Sequence, residues 1–267
     1  MIEVNEYARG EAFDGLFLKL FCFGSAKVDS EWRGSIVSSA FSRLYYVKKN
    51  SFYLICNGHR TDFLAGRWYL VPAGTSYEFG CDGECEHLFL HFSLSGKFHA
   101  DIFSTETEIM SIDGGKYEAE WLEKYAAATG ELAELGKRTA ATAVALSFAQ
   151  HYGVSVGTNQ YSPCVVRAIE YINANLSESL TVSSVANGIF VSKSTLTKHF
   201  RRELSTSVNK YIDDLILTRA AQMLAEGKMS LGTISESLGF CDQFYFSRKF
   251  KEKFGMPPSE YKRSWSV

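Results

Sequence analysis

The 267-residue chain contains no run of eighteen apolar residues, so no membrane-spanning helix and no membrane partner are expected. Its start, Met1-Ile2-Glu3-Val4-Asn5-Glu6, has no basic stretch leading into an apolar one. A secretory signal is therefore not expected, and the cytoplasm is the expected location. Cysteine is sparse. Six residues (22, 56, 81, 85, 164 and 241) spread over so long a chain read as free thiols rather than as a disulfide framework. Serine nucleophile elbows, phosphate-binding glycine loops and paired catalytic carboxylates are not evident.

What is present is enough apolar sequence, 46%, for globular cores, with 22% charged residues, in a length that suits two domains. The net charge of −2 conceals an asymmetry. Residues 1–162 hold 14 basic and 20 acidic residues, net −6, and residues 163–267 hold 14 and 10, net +4. A basic module behind an acidic one suits a nucleic-acid binder with a separate sensing domain; chance drift in surface charge is the alternative.

Residues 1–98 read as short strands: Leu16–Phe23, Ser38–Val47, Phe52–Cys56, Trp68–Val71 and Leu88–Leu94. Turn signals at Asn57-Gly58, Pro72-Ala73-Gly74 and Asp82-Gly83 separate them, which predicts a small all-β barrel or jelly roll. Residues 99–152 turn helical, with interruptions expected at Gly130 and Gly136. Tyr117, Trp121 and Tyr125 form a stripe that either packs on the barrel or makes a dimer contact. Residues 153–162 read as a linker, and Pro163 opens a helix. The remainder, 163–267, reads as an all-α domain.

Within that domain one pattern occurs twice. Ser192 and Asp242 can each cap a helix, and Leu196 with Phe200, then Phe246 with Phe250, fall four apart on one helical face. The intervening positions are polar or basic, of kinds that reach base edges and phosphates. Each pattern follows a short helix and a tight turn, at Phe190-Val191 and Gly239-Phe240, which is helix-turn-helix order. A helix from Val208 to about Ala225 joins the units. Its eighteen or so residues span roughly 27 Å at 1.5 Å each, comparable with the roughly 34 Å pitch of B-DNA once helix widths are added.

With Ile234, Gly239-Phe240, Asp242, Tyr245-Phe246-Ser247-Arg248, Phe250-Lys251, Gly255, Pro258 and Tyr261, residues 163–267 resemble the DNA-binding domain of the AraC/XylS family of bacterial transcription regulators. The resemblance implies two helix-turn-helix units reading successive major-groove segments. It places base-reading positions on Ser194, Thr197, Lys198 and Arg201, then on Gln243, Phe244, Ser247 and Arg248. Gln243 can pair adenine and Arg248 guanine. Arg202, Lys249, Lys251 and Lys253 are expected near phosphates or on a solvated face. The sequence departs from the family at Ser205, Ile216, Ser235 and Phe244. Phe244 suits a thymine methyl or simple packing.

The segment Gly66–Tyr77 resembles the cupin-like ligand-binding domain of the same family, with Tyr77 in place of a histidine, which speaks against a cupin metal site. An effector pocket in the barrel would draw on Arg43, Tyr45, His59, Trp68, Tyr77 and His91, a set that suits a sugar or another polar metabolite; core or surface roles are the alternative. Cys81, Cys85, His87 and His91 could suggest zinc. His87 and His91 lie about 13 Å apart along a strand, however, too far for one tetrahedral ion. No metal and no cofactor are expected.

The expected protein is thus not an enzyme but a regulator, an activator by family habit, with double-stranded DNA, a small-molecule effector, RNA polymerase and a second copy of itself as partners. The rival is a metal-dependent cupin enzyme fused to a DNA-targeting module.

Overall fold

The computed structural model describes residues 16–95, 101–126, 128–154 and 161–263. Eight antiparallel strands come first: β1 (Phe17–Val28), β2 (Arg33–Ile36), β3 (Ser42–Cys56), β4 (His59–Leu64), β5 (Arg67–Val71), β6 (Tyr77–Gly80), β7 (Cys85–Ser95) and β8 (Met110–Asp113). One side runs β1-β7-β3-β5-β8. The long β3 turns the corner. Its first half pairs with β5 and β7, a bulge interrupts the β7 ladder between Val47 and Lys49, and its second half pairs with β4 and β6. Two strands expected on either side of residues 48–51 are therefore one bent strand. The sheet also continues to Asp113, beyond the expected domain edge at residue 98, because β8 pairs with β5.

Alternation along the strands separates two faces. Arg43, Tyr45 and Val47 point inward with Cys85, His87, Phe89 and His91, among aromatic residues. Leu44, Tyr46, Leu88, Leu90, Phe92 and Leu94 point outward and lie under α1 (Lys116–Ala126) and α2 (Glu131–Tyr152). Burial on both faces explains why residues 88–94 are mostly apolar, with only His91 and Ser93 polar. Gly130 does separate the two helices, as the N-cap of α2. Gly136 does not interrupt anything: it lies inside α2, where an added Cβ would come within 2.8 Å of the Tyr125 ring. Trp121 packs at the edge of this core, while Tyr117 stays exposed.

The rest of the chain is helical: α3 (Pro163–Ala174), α4 (Val182–Gly188), α5 (Lys193–Leu204), α6 (Val208–Glu226), α7 (Leu231–Ser237), α8 (Gln243–Phe254) and α9 (Pro258–Arg263). Five of these starts are capped alike. Thr181, Ser192, Ser207, Ser230 and Asp242 each accept a hydrogen bond from the amide three residues on. Each such cap contributes about 1 kcal/mol. Leu196, Phe200, Ile216, Ile234, Phe246 and Phe250 fill one core.

The β-domain joins that core. Ala40 and Phe41, just before β3, are buried in it. Val37 lies against Gly255, and Lys19 of β1 forms an ion pair with Glu226 of α6. Between the two domains lies a cavity of about 750 Å³.

Candidate nucleic-acid interface

The two units are built alike. Helix α4 ends in a tight turn in which the Phe190 and Val191 amides donate to the carbonyls of Asn187 and Ala186. After α7, the Gly239 and Phe240 amides donate to those of Glu236 and Ser235. Both turns pass through a left-handed residue, Phe190 (φ 58°) and Gly239 (φ 78°). Ser192 then caps α5 and Asp242 caps α8. The Asp242 carboxyl is lowered, first by the Tyr245 amide that it caps.

Each second helix drives its apolar anchors into the core and leaves its polar face outside. Leu196, Phe200, Phe246 and Phe250 are fully buried. Ser194, Thr197, Lys198, Arg201, Gln243, Phe244 and Arg248 are exposed, and Ser247 is half-buried with its hydroxyl donating to the Gln243 carbonyl. The apolar spacing of four accounts for this sorting.

Three basic residues expected near phosphates are engaged inside the protein. Lys249 Nζ reaches both Glu178 Oε1 and Asp213 Oδ1 at 3.0 Å. Burial opposes its charge, but the two carboxylates prevail and its pKa is raised. Lys253 Nζ reaches Asp214 Oδ1 at 2.7 Å, and burial lowers its pKa. Arg202 turns onto Glu203 at 2.7 Å. Glu203 also accepts the Ser162 amide at 2.7 Å and meets His199 Nδ1 at 2.9 Å. Burial raises its pKa, yet these donors win and bring it down to about 2. These pairings tie α5 and α8 to their own domain. They depend on acidic partners up to 71 residues away, which local spacing does not reveal. Lys251 faces outward.

The expected effector residues divide. Arg43, Tyr45, Tyr77 and His91 are buried on the inner side of the β-domain. The Arg43 guanidinium lies 5.6 Å from the centre of the Tyr77 ring, and the Arg43 backbone pairs in register with His91 of β7. Burial holds the Tyr77 hydroxyl well above its ordinary pKa, and burial, then Arg43, holds His91 well below. Trp68 belongs to the outer face, its indole N–H donating to the Gly115 carbonyl at 3.0 Å. His59 is exposed beside the Asn57-Gly58 turn that joins β3 to β4. Strand alternation counted from Arg43 selects Tyr69 rather than Trp68, since Tyr45 pairs with Tyr69. The cavity itself is walled by Lys19, Ser93 and Asp101 from the β-domain and by Arg219, Gln222 and Lys253 from the helical domain. Five of these six did not stand out in the sequence, and Lys253 was expected near phosphates instead, because the two walls meet only when the domains dock. Burial raises the pKa of Asp101 to about 6, despite hydrogen bonds from the Phe103 amide (2.9 Å), Ser42 (3.0 Å) and the Leu94 amide (3.2 Å). Among the described residues no group of three His, Cys, Asp or Glu side chains is placed to hold a metal ion. No described helix is long and apolar enough to cross a membrane.

Comparison with known proteins agrees with this geometry. Residues 185–264 match a family model described as a helix-turn-helix domain. The arabinose operon regulatory protein of Escherichia coli (strain K12) is 36% identical over 99 residues, covering 37% of this chain and 34% of that protein. The lactose operon transcription activator of Staphylococcus xylosus is 29% identical over 103 residues, 39% of this chain and 37% of that protein. The match thus spans about a third of the length of these relatives. A structure of ToxT from Vibrio cholerae with an unsaturated fatty acid bound superposes with a TM-score of 0.60 at 11% identity, covering 94% of this chain and 96% of that one, a likeness of fold. Residues 185–264 are a helix-turn-helix domain of the AraC/XylS family, carried behind a β-domain in a two-domain fold shared with ToxT.

Proposed function

We propose that the chain is a sequence-specific DNA-binding transcription regulator, not an enzyme, acting in the cytoplasm under the control of a small molecule. The observation that carries this reading is the sorting on α5 and α8: buried anchors on one face, and Ser194, Thr197, Lys198, Arg201, Gln243, Phe244 and Arg248 open to solvent on the other, with Ser247 half-buried beside them. Side chains on the N-terminal half of such helices meet base edges, and nearby cations meet phosphates.

The control site we assign to the interdomain cavity, together with Arg43, Tyr45, Tyr77 and His91 on the inner face of the β-domain, which do not themselves line that cavity. A ligand there would touch both domains, so its binding energy would differ between their arrangements, which is what coupling to DNA requires. Hydroxyl and charged groups in the walls favour a polar metabolite such as a sugar, in keeping with relatives named for arabinose and lactose operons. Activation through RNA polymerase is the expected output, as the name of the Staphylococcus relative suggests. The helical region is assigned to self-association through α2, where Leu132, Leu135 and Leu146 are exposed at spacings of a packing seam.

The direct test is binding to duplex DNA over a salt series. Affinity should fall steeply as salt rises, because phosphate counterions are released. Arg248→Ala should relax base preference at one position by about 1–3 kcal/mol. Salt-independent binding, or no binding to any duplex, defeats the reading.

A further inference from the structure

Phe244 stands in the first turn of α8, the turn that enters the groove in helix-turn-helix docking, and it is 83% exposed. Its neighbours in the fold present it outward. Asp242 caps the helix by accepting the Tyr245 amide at 2.7 Å, which orients the first turn. Gln243 leans back over α7, its Oε1 3.4 Å from where a Cβ on Gly232 would stand. Ser247 and Arg248 lie three and four positions after Phe244, on the same side of the helix, with Phe244 and Arg248 exposed and Ser247 half-buried. Exposure removes packing within the domain as the reason for a phenyl ring here. The ring carries no donor or acceptor, so polar base edges offer it nothing. The thymine C5 methyl is the apolar group that the bases present in the major groove.

We infer that Phe244 makes the second unit require a thymine, read by contact with its methyl group, at a base pair next to the one that Arg248 reads. The inference rests on the DNA-reading role proposed above.

The full-length chain is used to select sites from a randomised duplex pool. Each thymine of the selected site is then replaced singly by deoxyuridine, which deletes the methyl and keeps the pairing edge. One position in the second half-site should lose about fourfold in affinity, the equivalent of roughly 0.8 kcal/mol for one buried methyl-sized group. Phe244→Ser should bind both duplexes equally at that position, and Arg248→Ala should keep the methyl effect. The melting temperature of Phe244→Ser should match that of the parent, since an exposed ring leaves the core untouched. A selected site with no deoxyuridine-sensitive position, or equal sensitivity in Phe244→Ser, overturns the inference and leaves DNA reading intact. Failure to select any site overturns both.

Discussion

Phe190 combines a left-handed backbone angle (φ 58°) with a ring that is 94% exposed. Left-handed geometry costs a non-glycine residue about 1–2 kcal/mol, and no core contact offsets that here. Glycine holds the matching position of the second turn. Phe190→Gly is therefore expected to stabilise the protein by about 0.5–1 kcal/mol, read as a higher urea midpoint; the gain is partly offset by the greater freedom of an unfolded glycine. Asp101 makes the opposite kind of residue-scale statement. Its pKa is raised from 3.8 to about 6 in the fold, so the folded state holds a proton that the unfolded chain releases. The sign follows: this stability is fully present below about pH 4 and is lost as pH rises through 6, on the order of 3 kcal/mol. Melting temperatures of the parent should fall relative to those of Asp101→Asn between pH 4 and 7. Parallel curves would contradict the assignment. The polar faces of α5 and α8 were legible in the sequence because helix periodicity and caps are local, whereas the choice of eight base-reading positions on them rests on the family resemblance. Trp68 and His59 misled because the aromatic and histidine content of a strand does not tell which face a side chain takes.

At the scale of the element, helix boundaries in the carboxyl-terminal domain follow from capping. Ser192, Ser207 and Asp242 mark the starts of α5, α6 and α8 where the sequence places them. Strand boundaries follow less well, since β3 runs through the polar stretch 48–51 and pairs with four other strands. Lys249 shows what an element needs beyond its own sequence. It joins α8 to Asp213 on α6 and to Glu178 ahead of α4, and so sets the second reading helix against the first unit. Lys249→Met leaves both carboxylates unmatched and should cost about 1–3 kcal/mol in chemical denaturation. It should also weaken binding to paired half-sites more than to either half alone. An equal loss on all duplexes would make Lys249 a phosphate contact instead.

For the whole molecule, the helical domain closes over one end of the β-domain, with Phe41 and Ala40 shared in its core and Lys19 paired to Glu226. A ligand between the domains would therefore be felt by α6, the helix that links the two reading units. Self-association belongs to this scale as well. Leu132→Glu with Leu135→Glu places charges on the exposed side of α2 and should yield a monomer in sedimentation, without loss of melting temperature. A variant that still sediments as the parent does removes α2 from the interface.

Residues close together in the chain already specified the two capped helix pairs, their outward polar faces and the β-rich first half, because caps, turns and periodicity act over a few positions. The fold alone chose which strand faces look inward, turned Lys249 and Lys253 onto acidic partners, and brought Asp101 and Lys19 opposite Arg219 across a cavity. Those outcomes depend on groups far apart in sequence, whose meeting is decided by how sheets and helices pack.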